Sequence, residues 1–579
     1  MEYPLYQAKK EIINILRDSL DKLEITGEIK LEKPPGEMGD FAFPCFSLAA
    51  QLKKSPIVIA EEIASNLSSG GWIKNIESKA GYVNFYIDRK KLSLQTFALV
   101  IKNKDSYGFL DKKKTKVIVE HTSANPNGPL HVGRARNPII GDTITRLLKA
   151  AGYQVKSQFY LDDMGKQVAI LTWGLENLTE KDVPDSDYYK LYKKEDHRLV
   201  GYYQIANTKM NEDKKIEEEI QSLIKNSEIG DIPTLKKMEN AYLPALEGIK
   251  ESLGLINIEI DEFIPESTFV KNKSVDDVVK KLKQSKVSGE EDGAYYLDLE
   301  SFGVKGRNTK FFFKRKDGTT LYATRDIAYH IWKAKNADML VNILGEDHKL
   351  ESRQVEIALE IMGAEHLPKV IFYSFVSLPE GKMSTRRGRV VYLDDLIKEC
   401  IDRAAKEVKK RRGTELSDDK IQKIAEIVGI GALRYNIIKV QPEKDIVFKW
   451  EEALNFEGNA APFIQYSHAR ACSILTKNQD NFEKFDASLL THPSEMKLIM
   501  NMARFPMVVE EASEGFKPHI LSLFLFELAS SFNEFYRDCP VLPEKNLELR
   551  NARIGLVDAT RVVISKGLDL LGIAAPEEM

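Results

Sequence analysis

The chain changes its hydrophobic rhythm several times. Over 5–23 apolar residues recur at helical spacing between charges. Pro, Gly and Asp then punctuate "KPPGEMGDFAFP" (33–44), and helical spacing returns through "SPIVIAEEIASNL". "GYVNFYI" (81–87) alternates as a short strand, so the first 110 residues form a mixed α+β unit. "KVIVE" (116–120) is a β-branched run short enough for a buried strand. Residues 137–151 place apolar side chains at 139, 140, 144, 147, 148 and 151, which is one helical face, and Gly152 suits its C-terminal cap. "YQVKSQFYLDD" (153–163) reads as the next strand. Strand, loop, helix and strand make a βαβ unit and predict a parallel α/β sheet.

Residues 184–305 are charged, helical and then irregular, and predict an insertion into the α/β domain. The sheet rhythm resumes at "MLVNILG" (339–345) and "KVIFYSFVSL" (369–378), and beyond about 415 the pattern is almost entirely helical. The expected division is an N-terminal α+β domain at 1–110, an α/β domain at 111–405 and a helix bundle at 406–579. No internal repeat or low-complexity tract interrupts it.

Composition narrows this only a little. The 579 residues are 43% hydrophobic and 30% charged, typical of a soluble globular chain, and length alone suggests about three or four domains. Net charge is -3, so nucleic-acid binding would need local patches. Cys45, Cys400, Cys472 and Cys539 form no CxxC pair, which disfavours zinc ribbons and disulfide frameworks and fits a reducing compartment. The N-terminus lacks the apolar core of a signal peptide. The most apolar window, 519–536, is broken by Glu527 and serines, as in a core helix rather than a membrane span.

The candidate chemistry begins at "HTSANPNGPLHVGRAR" (121–136), between the first buried strand and its helix. A helix N-terminus favours phosphate, Gly133 permits close approach of a ligand, and His131 and Arg134 fall on one side of a turn. A polar loop with incidental basic residues is the competing explanation. About 250 positions later, "GKMSTRRG" (381–388) sets Lys382, Arg386 and Arg387 around small residues after a strand. Such a basic loop suits polyphosphate.

In this order the two segments resemble the HIGH and KMSKS signatures of class I aminoacyl-tRNA synthetases. That resemblance implies a Rossmann-type catalytic domain with ATP at the C-terminal edge of the sheet. It sharpens to one family, the arginyl-tRNA synthetases. "VEHTSANPNGPLHVGRARN" resembles the extended first signature, and "KDGTTLYATRDIAYH" (316–330) a second family segment. "GALRYNIIKV" (431–440) and "FEGNAAPFIQYSHAR" (456–470) are similar to its anticodon-binding domain, and "GDFAFP" and "GYVNF" to its additional N-terminal domain at the tRNA elbow.

The resemblance implies an arginine–tRNA ligase. Arginine attacks MgATP to give arginyl-adenylate, and the amino acid then passes to the terminal adenosine of tRNA(Arg). Catalytic roles fall on His131, Arg134, Lys382 and Arg386. ATP contacts fall on His131, Gly133, Arg134, Asp347, His348, Lys382, Met383 and Ser384. Glu120 and Asn125 match positions that hold the α-amino and α-carboxylate ends of arginine. Tyr322 and Asp326, four apart on a helix, match those that hold the guanidinium, whose planar fork suits a carboxylate partner. An ion pair with Arg325 is the rival role for Asp326, and a capped loop that for Asp347 and His348. Asn84 and Phe85 are expected at the tRNA elbow, and Gln465, Tyr466 and Arg470 near the anticodon; core packing is the rival for Phe85 and Tyr466. "KEVKKRRG" (406–413) reads either as an RNA contact or as a charged helix end closed by glycine.

Two departures stand out. Arg134 replaces the last histidine of the first signature, and Thr385 the second lysine of the second. Family members without that lysine can carry one before the proline ahead of the first signature, where this chain has Gly128. Arg134 and Arg386 are expected to restore the missing charge. The family commonly requires bound tRNA to activate arginine. Competing readings are an inactive synthetase-like tRNA-binding protein, another nucleotidyltransferase and a different class I synthetase. The overall expectation is a cytoplasmic monomer, without structural metal or membrane association, that binds tRNA(Arg), arginine and ATP with Mg2+.

Overall fold

The computed structural model describes residues 2–26, 28–34, 38–306, 309–378, 381–382, 385–386, 389–478 and 486–579. At the N-terminus, strands β1 (Phe41–Pro44), β2 (Ile73–Lys79) and β3 (Tyr82–Ile87) form an antiparallel sheet with β3 in the centre. Helices Pro4–Lys22 and Pro56–Ser65 cover it; Ser55 caps the second by accepting the N–H of Val58. The unit also leans on the C-terminal helix Pro493–Glu514. The Tyr107 hydroxyl donates to the Met502 carbonyl at 3.0 Å and the Tyr6 hydroxyl to Glu510 at 2.7 Å.

The central sheet is parallel. It comprises β4 (Lys116–Glu120), β5 (Gln154–Leu161), β6 (Glu262–Pro265), β10 (Met339–Gly345) and β11 (Pro368–Tyr373), in the order β11-β10-β4-β5-β6. Val117, Ile118 and Val119 of β4 are all buried, worth roughly 1.5–3 kcal/mol each. The helix Arg136–Ala150 joins β4 to β5, and at its end Gly152 takes a left-handed φ of +88°. A Cβ there would collide with the Asp111 carbonyl oxygen. From β4 the chain builds outward through β5 and β6, then returns to the other side of β4 with β10. Strand order reverses between β4 and β10, and in such sheets ligands bind beyond the carboxyl ends of the strands at that switch point.

The expected insertion at 184–305 needs correction, because β6 lies inside that range and is a sheet strand. Its four half-buried residues, "EFIP", are too few to show the alternation of a strand. Helices Lys166–Asn177, Glu195–Glu212, Lys214–Glu228 and Ile232–Leu255 form the crossover into it. A separate antiparallel sheet follows, with β7 (Ser288–Glu291), β8 (Ala294–Asp298) and β9 (Lys310–Lys314). The run at 369–378 is likewise two elements. β11 ends at Tyr373, and Val376–Leu378 leaves the sheet to pair in parallel with Ile446–Val447. Ser374 sets the break: its N–H donates to the Pro442 carbonyl, its hydroxyl to the Glu443 carbonyl, and its own carbonyl accepts from Arg136.

Helices Leu393–Arg412, Asp418–Ile438, Ala461–Lys477, Pro493–Glu514, Pro518–Asp538 and Leu547–Leu570 build the C-terminal part of the chain. The apolar window is the core helix Pro518–Asp538, which buries Leu521, Phe524, Leu525, Leu528, Phe532 and Phe535. Among the described residues no helix is long and apolar enough to cross a membrane. The basic run at 406–413 ends the helix Leu393–Arg412 in ion pairs of Lys409 with Asp418, Arg411 with Glu407 and Arg412 with Glu415. Gly413 is the C-cap of that helix, with φ -64°, and its N–H donates to the Lys409 carbonyl.

Candidate active site

Beyond the ends of β4 and β10 lies a cavity of about 1000 Å³. Glu120, Asn125, His131, Gly133, Arg134, Tyr322, Asp326, Asp347 and His348 all line it, so residues spread over more than 200 positions converge.

The loop after β4 is held under strain. Thr122 and Ser123 have φ of +73° and +34°, a region that side-chain-bearing residues seldom occupy and that clusters at functional sites. Asn137 pins the loop: its Oδ1 accepts the Thr122 N–H at 2.7 Å and its Nδ2 donates to the Ile343 carbonyl at 2.9 Å, tying the first signature to β10. His131 precedes the short 3-10 turn Val132–Arg134, and its Nδ1 accepts the Gly133 N–H at 3.1 Å. This bond keeps Nδ1 unprotonated, which assigns the neutral ring's proton to Nε2 as a donor. Arg134 is exposed on the cavity wall. Arg136 is fully buried and donates to the carbonyls of Ser374, Gln441 and Lys444. Burial pulls its guanidinium down to about 10.

The segment that follows the second signature is anchored to the first. Val132 N–H donates to the Val391 carbonyl at 3.0 Å, and Leu393 N–H to the Leu130 carbonyl at 2.8 Å. The backbone of Gly381–Lys382 pairs with Val376–Leu378, and that of Thr385–Arg386 with Arg389–Val390. Met383 and Ser384 lie outside the described residues.

Asp326 is part-buried on the helix Tyr322–Asn336. Burial acts to raise its carboxyl pKa, but His330 and Lys333 beside it win and hold it below the usual carboxylate value. Its rival role is corrected, because Arg325 turns away to form an ion pair with Glu266 at 2.8 Å, with Glu228 at 3.6 Å. The hydroxyl-bearing ring of Tyr322 is 42% exposed and available to the cavity. Glu120 accepts the Lys333 ammonium at 2.6 Å and the Ser123 hydroxyl at 3.3 Å. Asn125 donates to Gln167 at 2.8 Å. His348 lies 3.2 Å from Glu351, and that hydrogen bond raises its pKa. Asn137, His330, Lys333 and Asn342 were not anticipated. For two of them a signal existed: 326, 330 and 333 repeat at helical spacing, so three polar residues share a face.

Three expected RNA contacts fall elsewhere. Asn84 and Phe85 are 2% and 0% exposed in the central strand β3, where Phe85 is core. Gln465 is fully buried and its amide donates to the carbonyls of Ile427 and Ala574, bracing the bundle. Tyr466 is 40% exposed, with the Arg470 guanidinium 4.7 Å from its ring and 5.2 Å from that of Tyr536.

The chain matches three family descriptions: "Arginyl tRNA synthetase N terminal domain" over 9–87, "tRNA synthetases class I (R), catalytic domain" over 96–450 and "DALR anticodon binding domain" over 464–579. Together with the parallel sheet, these make the chain a class I aminoacyl-tRNA synthetase. It is 46% identical to the arginine–tRNA ligase of Methanocella arvoryzae, over 92% of each chain, and 43% identical to that of Methanocaldococcus jannaschii, over 99% and 100%. The solved arginyl-tRNA synthetase of Thermus thermophilus superposes with a TM-score of 0.81 at 27% identity, over 98% of this chain and 100% of that one. The chain belongs to the arginyl-tRNA synthetase family.

Proposed function

We propose that the cavity carries out both half-reactions of an arginine–tRNA ligase, the activity that membership of the family gives the chain. One observation carries the residue assignment. His131 and Arg134, suited to phosphates, share a cavity with Tyr322 and Asp326, suited to a guanidinium.

Arginine lies with its guanidinium on Asp326 and Tyr322, its α-ammonium at Glu120 and its α-carboxylate at Asn125. The carboxylate attacks the α-phosphorus of ATP, the bond to the β-phosphate oxygen breaks, and pyrophosphate leaves arginyl-adenylate behind. Magnesium enters as part of the nucleotide substrate. The nucleophile is already anionic, so no general base is required, and rate comes from positioning and charge stabilisation. His131 Nε2–H, Arg134, Lys382 and Arg386 supply that charge, with Gly133, Met383 and Ser384 along the phosphates and Asp347 and His348 toward the adenosine. The tRNA's terminal ribose 2′-hydroxyl then attacks the activated carbonyl and AMP departs. Tyr466 and Arg470 meet anticodon-loop bases, which aromatic and guanidinium planes recognise by stacking. The described residues that line the cavity all come from one chain and the four cysteines are free, which supports a monomer in the cytoplasm.

Arginine-dependent ATP–pyrophosphate exchange, with and without tRNA and with lysine as control, tests this reading. Exchange with arginine in the presence of tRNA is expected. Its absence from folded protein that still binds tRNA would favour an inactive relative.

A further inference from the structure

Lys333 has no solvent exposure, and its three N–H donors have three partners. They are Glu120 Oε2 at 2.6 Å, Asn342 Oδ1 at 3.0 Å and His330 Nε2 at 3.1 Å. An ammonium only donates, so the Asn342 oxygen must face it and the Asn342 amide must face His330, where Nδ2 lies 2.7 Å from Nε2. Two donors on Nε2 leave no room for a proton there. The imidazole is therefore neutral with its proton on Nδ1, and that N–H reaches the Asp326 carboxylate at 3.1 Å and the Asp326 carbonyl at 2.9 Å. Lys333 thus reaches Glu120 directly and Asp326 through a ring whose tautomer it helps to set.

We propose that Lys333 is a positioning residue for arginine selection, orienting through its own bond and through His330 the two carboxylates that hold the two cationic ends of the substrate. This rests on the assignment of Glu120 and Asp326 to arginine. Buried between them, the ammonium also offsets one of their two negative charges, so the pair and Lys333 together leave a single negative charge for arginine, whose two cations and α-carboxylate sum to a single positive one. Lysine would bring the same charge but would not fill a carboxylate oriented for a planar fork.

The test is a double-mutant cycle on the full chain, read by ATP–pyrophosphate exchange with tRNA present. His330→Asn removes the bond to Asp326, and Lys333→Met removes the ammonium. Each is expected to raise KM for arginine by about 10- to 100-fold while KM for ATP stays within about twofold. The double variant is expected to fall well short of the product of the two single effects, because both cut the path to Asp326 and only Lys333→Met also removes the bond to Glu120. Should Lys333→Met fail to fold, Asn342→Leu takes its place in the cycle. Independent, multiplying effects would overturn the proposal, as would equal losses for arginine and ATP. Asp326→Asn separates the layers. If it leaves KM for arginine unchanged, the assignment of the pocket has failed. If it raises KM while His330→Asn does not, only the relay has failed.

Discussion

Arg434, fully buried in the helix Asp418–Ile438, donates to Asp142 in the helix that follows the first signature loop. The same guanidinium donates to the carbonyls of Leu571 and Ile256, so one side chain joins the last helix, the crossover helices and the catalytic helix. Burial pulls its pKa down, and Asp142 opposes that pull. Removing one partner of a buried pair leaves the other uncompensated, at roughly 3–5 kcal/mol. Arg434→Met is expected to lower the thermal midpoint markedly, with little change in KM for ATP or arginine at low temperature. A midpoint shift within about 1 °C would contradict this role.

His121 gives the protein an acid-sensitive point. The ring is buried against Gly141, and burial drops its pKa from 6.5 to about 4. Between those values the unfolded chain binds a proton that the folded chain refuses, so stability falls as pH drops through 6.5 and levels off below about 4. Between pH 7 and pH 5 the loss from this group is roughly 2 kcal/mol. Urea unfolding at both pH values should show that His121→Asn, whatever its cost at pH 7, loses less on acidification than the unaltered protein. An equal loss in both would rule His121 out.

Arg134 is expected to act on phosphate charge. Arg134→Ala should lower the rate of pyrophosphate exchange by about 100-fold, as does loss of one preorganised donor at a developing charge. Arg134→His should recover only part of that rate. An unchanged rate in both variants would leave the phosphates to other residues.

The two neighbours Gln465 and Tyr466 should separate structure from recognition. Tyr466→Ala is expected to raise KM for tRNA roughly tenfold, within the usual worth of an aromatic–base stack, and to leave the thermal midpoint nearly unchanged. Gln465→Ala should instead lower the midpoint, since Ile427 and Ala574 lose their donor. The reverse pattern would put the RNA contact on the wrong residue.

This last pair also shows how far sequence reasoning reaches. The run at 116–120, the apolar face at 137–151 and the two signatures announce the sheet, its first crossover and the cavity, because each is a local pattern that burial enforces. β6 stayed hidden because four half-buried residues make no periodic signal. Gln465 and Tyr466 are adjacent in one quoted segment, yet only helix orientation decides which faces solvent. Lys333 and Glu120 lie 213 positions apart, and nothing local to either states that they touch. Phe85 shows the same limit in a strand, where its place in the central strand buries it and the spacing alone left both roles open.

If Asp326 receives the substrate's guanidinium within the cavity that also takes ATP, its amide variant must lose arginine. Steady-state exchange with Asp326→Asn, with tRNA present, tests it most directly. The predicted result is a loss in kcat/KM for arginine of at least about 100-fold, roughly 3 kcal/mol, as for one partner of a buried charged hydrogen bond, with KM for ATP unchanged. An unaltered kcat/KM for arginine in a folded variant would move the guanidinium to another carboxylate on the cavity wall.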